Sequence, residues 1–133
     1  MKKNLPRITL VTPSYNQASY LPATIDSVLS QGYPDLEYFV MDGGSNDGSI
    51  DVIKRHAKHL SGWISERDKG QTDALNKGFA RATGQVYAFI NSDDLLEPGA
   101  LRFVGELFAT NACQWVASPV RCFSEVREWV YRA

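Results

Sequence analysis

The sequence predicts an α/β protein, a mostly parallel sheet with helices on both faces. Two observations carry this. Short apolar runs rich in β-branched residues alternate with stretches whose apolar positions recur every three or four residues. Each strand-like run is followed by a polar cluster, and in a parallel sheet the strand ends share one rim where ligands bind.

The elements follow in order. Ile8 to Thr12 is a β-rich run closed by Pro13. From Tyr20, Leu21, Ile25, Val28 and Leu29 repeat at helical spacing, and Gly32 with Pro34 beyond stops the helix. Leu36 to Met41 is a second strand, ended by "DGGSND". Ser49 reads as the cap of a short helix through Ile53 to about His56. Trp63 and Ile64 form a brief third strand. Thr72 or Asp73 caps a helix through Ala82, with Leu75, Phe79 and Ala82 on one face and Gly84 as its stop. Val86 to Ile90 is the fourth strand. Pro98 suits the first turn of a helix carrying Leu101, Val104, Leu107 and Phe108. Trp115 to Ala117 is the candidate for a fifth strand.

Composition sets the bounds. With 133 residues, 44% of them hydrophobic and 22% charged, the chain fits one ordinary globular domain. A net charge of −1 gives no basic face for nucleic acid. Cys113 and Cys122 are too few for a disulfide framework or a zinc site, and they read as reduced thiols of a cytoplasmic protein. The apolar run after "MKKNLPR" stops at Pro13, too short for a signal peptide or a membrane span.

Four polar clusters follow the four strands: "PSYN", "DGGSND", "SERDKG" and "NSDD". In "DGGSNDG", the glycines permit close backbone approach. Asp42 can accept from a ring N–H or a hydroxyl, or close an Asx turn, and ligand contact is the favoured reading. No "GK[ST]" follows, so this is not a P-loop, and the glycines do not follow the first strand as a dinucleotide fingerprint requires. In "NSDD", adjacent carboxylates at a strand end repel unless something neutralises them. Mg²⁺ or Mn²⁺ takes oxygen ligands, commonly one or two carboxylates together with substrate phosphates, which suits Asp93. Asp94 instead reads as the cap of the next helix. Asp73 and Lys77 are four residues apart and can pair on their helix, while the same helix start can meet an anion through its amides and Lys69 or Lys77. His56 and His59 read as cations near a helix C-terminus.

Together these motifs resemble glycosyltransferase family 2, whose fold is the Rossmann-like GT-A nucleotide-binding fold. "ITLVTPSYNQASYLPATIDSVLSQGYPDLEYFVMDGGSNDGSIDVI" is similar to that family's N-terminal signature. "WISERDKGQTDALNKGFARATGQVYAFINSDDLLEPGAL" is similar to a bacterial subgroup linked to surface-polysaccharide synthesis. The resemblance covers about residues 7 to 110. It implies inverting transfer of a sugar from a nucleotide diphosphate, most naturally a UDP-sugar, to a glycan or lipid-linked acceptor, with Mg²⁺ or Mn²⁺. By position it places the nucleotide on Pro13, Tyr15, Asn16, Asp42, Asp73, Asn91 and Ser92, with Asp42 at the base and Asn91 at the ribose. It places the metal on Asp93. It also implies a cytoplasmic protein, at the inner face of a membrane where the acceptor is lipid-linked.

Three departures qualify the carry-over. Asn91 stands where the motif's first aspartate is usual. Leu75 precedes Asn76 where many members carry arginine towards the diphosphate, leaving Lys69 or Lys77 as substitutes. The family's catalytic base comes from a later, acceptor-binding half. Residues 1–133 read as the donor-binding portion, so the base is expected beyond Ala133. "FSEVREWVYRA" gives no reason to nominate Glu125 or Glu128 as that base. Apolar surface around Trp115 and Trp129 is then expected, favouring self-association. Two rival readings remain. A non-catalytic nucleotide-sugar-binding fragment would share every motif. A receiver-type phosphoryl-transfer domain would need carboxylates after the first strand, and "VTPSYN" has none.

Overall fold

The computed structural model describes residues 4–111, 113–123 and, for the backbone alone, Glu128–Tyr131. Glu125 and Ala133 lie outside the described residues, as do the side chains of Glu128 and Trp129. The expectation of a catalytic base beyond Ala133 therefore falls outside them too.

Four strands form one fully parallel sheet in the order β3-β2-β1-β4: β1 Ile8–Ser14, β2 Leu36–Asp42, β3 Gly62–Ser65 and β4 Val86–Phe89. Helices α1 Leu21–Leu29, α2 Ser49–His56, α3 Gln71–Phe79 and α4 Ala100–Ala109 connect and follow them. β1 and β2 are the interior strands, and β1 is buried at every position. Such strands need apolar residues on both faces, which "ITLV" and "YFVM" supply.

Strand alternation divides the core into two layers. Ile8, Leu10, Tyr38 and Val40 pack with Leu21, Ile25 and Val28 of α1, Val52 and Ile53 of α2, and Leu101 of α4. On the other face Val11, Phe39 and Met41 meet Ala74 of α3, with Leu75 and Phe79 at the edge. Helices therefore cover both faces, as the sequence pattern requires. Ala74 and Gly78 are the buried residues of α3, and of the predicted row Leu75 and Phe79 pack partly buried beside them. Gly78 lets the helix lie close against the sheet, since a Cβ there would stand 2.6 and 2.7 Å from the Val11 methyl carbons.

Several predicted boundaries are revised. β1 runs through Pro13 to Ser14. The Val11 carbonyl accepts from Ile90 N–H, so β1 residues of this parity face β4. Pairing with β4 ends at Val11↔Phe89, so the missing N–H of Pro13 two residues on leaves no bond unmade. Glycines take the helix starts assigned to Ser49, to Thr72 or Asp73, and to Pro98. Gly48, Gly70 and Gly99 precede α2, α3 and α4 with φ of 99°, 113° and 82°, and Pro98 lies just outside its helix. Asp94 is too far from α4 to cap it. Trp115 to Ala117 is not a strand. The next strand is β5 Val120–Phe123, which pairs antiparallel with β6 Glu128–Tyr131 in a separate two-stranded sheet. Trp115 is 79% exposed, in line with the expected apolar surface. No helix among the described residues is long and apolar enough to cross a membrane.

Glu37 clamps the end of the sheet opposite the polar rim. Its carboxylate accepts from the Thr9 hydroxyl at 2.7 Å and from Thr83 N–H at 2.8 Å and hydroxyl at 2.7 Å. Burial pushes this carboxyl up, but the bonds from Thr83 and Thr9 and the charge of Arg7 outweigh it and leave it below its ordinary value. A lowered folded value means the bonds stabilise above the unfolded value of ~4.3 and are lost as pH falls through the folded one. The stability gap between the wild type and Glu37→Gln should therefore be full near neutral pH and shrink in urea melts below about pH 4. Gly78→Ala should destabilise by about 1–3 kcal/mol through overpacking on Val11, although alanine is intrinsically the better helix former by ~1 kcal/mol. The urea midpoint reads this directly.

Candidate functional site

The four loops do converge. A cleft of about 600 Å³ opens at the carboxyl ends of the strands, walled by Pro13, Ser14, Tyr15 and Gln17 after β1 and by Gly43 after β2. Arg67, Asp68 and Gly70 follow β3, Gln71 and Ala74 begin α3, and Asn91, Ser92 and Asp93 follow β4. Five of the predicted site residues line it: Pro13, Tyr15, Asn91, Ser92 and Asp93. Tyr15 is 62% exposed and offers its ring as a wall.

Asp42, expected at a base, is not among the residues lining the cleft. It is 2% exposed. Oδ2 accepts from Gly44 N–H at 3.0 Å, Ser45 N–H at 2.9 Å and the Ser65 hydroxyl at 2.7 Å, and Oδ1 accepts from the Ser45 hydroxyl at 2.5 Å. A buried carboxylate needs such donors, and the chain itself supplies them. Of the two roles open to Asp42 in the sequence, the Asx-type turn is the one that forms.

Asn16 and Asp73 are also occupied elsewhere. Asn16, at a left-handed φ of 49°, gives its N–H to the Ser45 hydroxyl at 2.8 Å and accepts from Asn46 N–H at 2.9 Å. It joins the first and second loops. Asp73 accepts from Lys69 N–H at 3.0 Å and lies 3.5 Å from Lys77, and these contacts hold its carboxyl below the ordinary range. Lys77 also pairs with Glu66 at 3.0 Å, so it is not available to a diphosphate as expected. Of the two remaining cations near the site, Lys69 does not line the cleft, whereas Arg67 does. The motifs alone do not single out Arg67, although "SERDKG" belongs to the rim.

Asn91 sits between two elements. Its carbonyl oxygen accepts from the Gln71 amide, and its amide donates to Asp94 at 3.2 Å. These bonds join the start of α3 to the end of β4. Asp94 also accepts from Thr24 through its backbone carbonyl at 2.8 Å, tying this loop to α1. Asp93 is exposed on the rim, and no described residue donates to it. No group of three or more His, Cys, Asp or Glu suited to a metal occurs among the described residues. That donor set fits Mg²⁺ or Mn²⁺ held by one carboxylate, with the other ligands drawn from phosphates and water, and does not fit an all-protein cage.

Comparison with known proteins agrees with this geometry. The family profile described as glycosyl transferase family 2 matches residues 9–133. An uncharacterised glycosyltransferase of Nostoc is 39% identical over 108 residues, covering 79% of this chain and 34% of the relative. TuaG of Bacillus subtilis, a glycosyltransferase named for teichuronic acid biosynthesis, is 32% identical over 111 residues, covering 81% and 44%. The chain thus spans less than half the length of these relatives. Among solved structures, a mannosyltransferase of Pyrobaculum calidifontis in complex with GDP-Man and Mn²⁺ superposes with a TM-score of 0.70 at 29% identity, covering 78% of this chain and 33% of that one. S. aureus TarS 1–349 in complex with UDP-GlcNAc superposes at 0.72 with 20% identity, covering 80% and 32%, and shares the fold.

Asp42→Asn should cost about 1.5 kcal/mol or more of stability, because the donors from Gly44, Ser45 and Ser65 lose their charged acceptor and the amide NH2 is set against the Ser45 hydroxyl. Chemical unfolding measures it. A variant as stable as the wild type would contradict this structural role.

Proposed function

The chain belongs to glycosyl transferase family 2, and from that membership we propose that it is the donor-binding portion of an inverting glycosyltransferase. It takes a nucleotide-diphosphate sugar, most naturally a UDP-sugar, and serves transfer to a glycan or lipid-linked acceptor. The observation that carries this reading is the convergence of four strand-end loops on one cleft that holds both Arg67 and an uncommitted Asp93.

In this reading Pro13 and Tyr15 form the wall beside the base, and Asn91 and Ser92 lie towards the ribose. Arg67 meets the diphosphate with charge-assisted bonds. Asp93 holds Mg²⁺ or Mn²⁺ against the same diphosphate. When bound, the cation supplies Lewis-acid stabilisation of the charge on the departing group. Inverting transfer also needs a base for the acceptor hydroxyl, worth typically ~10²–10⁴-fold. The cleft residues named here are all assigned to the donor.

Free Cys113 and Cys122 are in keeping with a reducing, cytoplasmic setting, at the inner face of a membrane for a lipid-linked acceptor. Exposed Trp115, Val120 and Phe123 support self-association.

Asp93→Ala should abolish Mn²⁺-dependent binding of UDP while leaving the urea midpoint unchanged, since no described residue donates to that carboxylate. Calorimetry with and without Mn²⁺ decides it. Equal affinity of variant and wild type in the presence of Mn²⁺ would refute the assignment.

A further inference from the structure

Asp42 is closed to ligands, yet the neighbouring cleft wall carries another carboxylate. Asp68 comes from the loop after β3 and lies over the backbone of Gly43. A Cβ at Gly43 would stand 2.9 Å from Asp68 Oδ2 and 3.1 Å from both Cγ and Oδ1. Gly43 does not have a positive φ, so its conformation alone does not require glycine. The absent side chain makes room for the Asp68 carboxylate. Both residues line the cleft beside Pro13, Ser14 and Tyr15.

The two oxygens of Asp68 are not equivalent. Oδ1 accepts from Gly70 N–H at 2.9 Å, which fixes the carboxylate's orientation. Oδ2 receives no hydrogen bond from any described residue. The Ser14 hydroxyl, of another residue lining the cleft, is buried without a hydrogen-bond partner among the described residues. A buried hydroxyl left unpaired costs free energy.

We propose that Asp68 Oδ2, seated over Gly43, reads the nucleobase of the donor by accepting its ring N–H, in the role the sequence suggests for Asp42. The inference rests on the donor-binding reading above. One uncommitted oxygen matches the single N3–H of uracil or thymine. Guanine presents N1–H and N2–H₂ side by side and calls for both oxygens, one of which is engaged with Gly70. The Tyr15 ring provides an apolar wall for a flat base in the same cleft. Asp68 is thus the residue that sets base preference, while Asp93 and Arg67 bind the diphosphate whatever the base.

The test titrates the 133-residue chain calorimetrically, in Mn²⁺, with UDP, dTDP, GDP, N3-methyl-UDP and pyrophosphate. Wild type should bind UDP at least tenfold tighter than N3-methyl-UDP and GDP. It should also bind dTDP more tightly than N3-methyl-UDP, since thymine keeps the imide N–H. Asp68→Asn, similar in shape but presenting a donor, should lose tenfold or more for UDP and keep pyrophosphate within twofold. It should also abolish the difference between UDP and N3-methyl-UDP. Gly43→Ala displaces the carboxylate without removing a polar group, and should reproduce the loss. Equal loss of UDP and pyrophosphate in Asp68→Asn would overturn the assignment. So would an unchanged ratio of UDP to N3-methyl-UDP in both variants. Failure of wild type to bind UDP and pyrophosphate would overturn the donor-binding reading itself, and this inference with it. Wild type that binds pyrophosphate but shows no base preference would overturn only the inference.

Discussion

The rim depends on one buried carboxylate. Asp42 ends β2 and gathers four hydrogen bonds from Gly44, Ser45 and Ser65. Ser45 passes the connection on by accepting from Asn16 N–H, and Asn16 in turn accepts from Asn46 N–H. The loops after β1, β2 and β3 are therefore one hydrogen-bonded unit. A glycine-bearing loop left to itself would lose much conformational freedom on ordering, which opposes folding by about 1–2 kcal/mol per residue. Local bonds to a charged acceptor, each worth about 1.5–3 kcal/mol, can offset that. Asp47 repeats the device further along, accepting from Ala18 N–H and from Ser49. The loop can then present Gly43 to the cleft as a fixed surface.

Topology explains why the cleft lies where it does. β1 continues its ladder with β2 to Ser14↔Asp42, but its ladder with β4 ends at Val11↔Phe89. Beyond Val11 the β4 side of β1 is unpaired, and Pro13 there presents no N–H that needs a partner. The chain reaches β4 only after passing from β3 through α3 on the opposite face, so the order of strands reverses at β1. A crevice at such a reversal is the usual ligand position in open α/β sheets. The bond between Gln71 and Asn91 spans this gap and fixes the start of α3 against the end of β4.

The sheet is readable in the sequence because its signals are local. "ITLV" and "YFVM" carry β-branched and apolar residues without interruption, and Leu21, Ile25 and Val28 keep helical spacing. The misreadings share a cause, which is that the deciding partner is distant in sequence. Pro13 looks like a strand end until the sheet order shows that its missing donor has no acceptor to face. Asp42 looks ready for a ligand or a turn, and Ser65, 23 residues away, is one of the donors that settle it. Asp68 gives no signal of its own. The usable hint is the glycine after Asp42, a position where something approaches the backbone closely. Lys77 reads as half of an ion pair with Asp73, which is correct as far as it goes. Its second partner Glu66 comes from the loop after β3, and that pairing removes it from the site.

The charges of the cleft bear on how its parts must work together. Arg67 brings one formal positive charge, while Asp68 and Asp93 bring two negative ones, a balance of −1 among the lining residues. Lys77, the nearest additional cation on α3, is neutralised by Glu66 and Asp73. A diphosphate entering this cleft meets one cation in the lining, Arg67, with Asp93 as the carboxylate that a divalent cation would bridge to it. A divalent cation entering with the ligand offsets the carboxylates of the lining. Binding of nucleotide and binding of cation are then thermodynamically linked, each raising the affinity of the site for the other. The base contact stands outside this linkage. A neutral imide N–H given to Asp68 neither adds nor removes charge, so the contact can set preference among nucleotides without altering the coupling between diphosphate and metal.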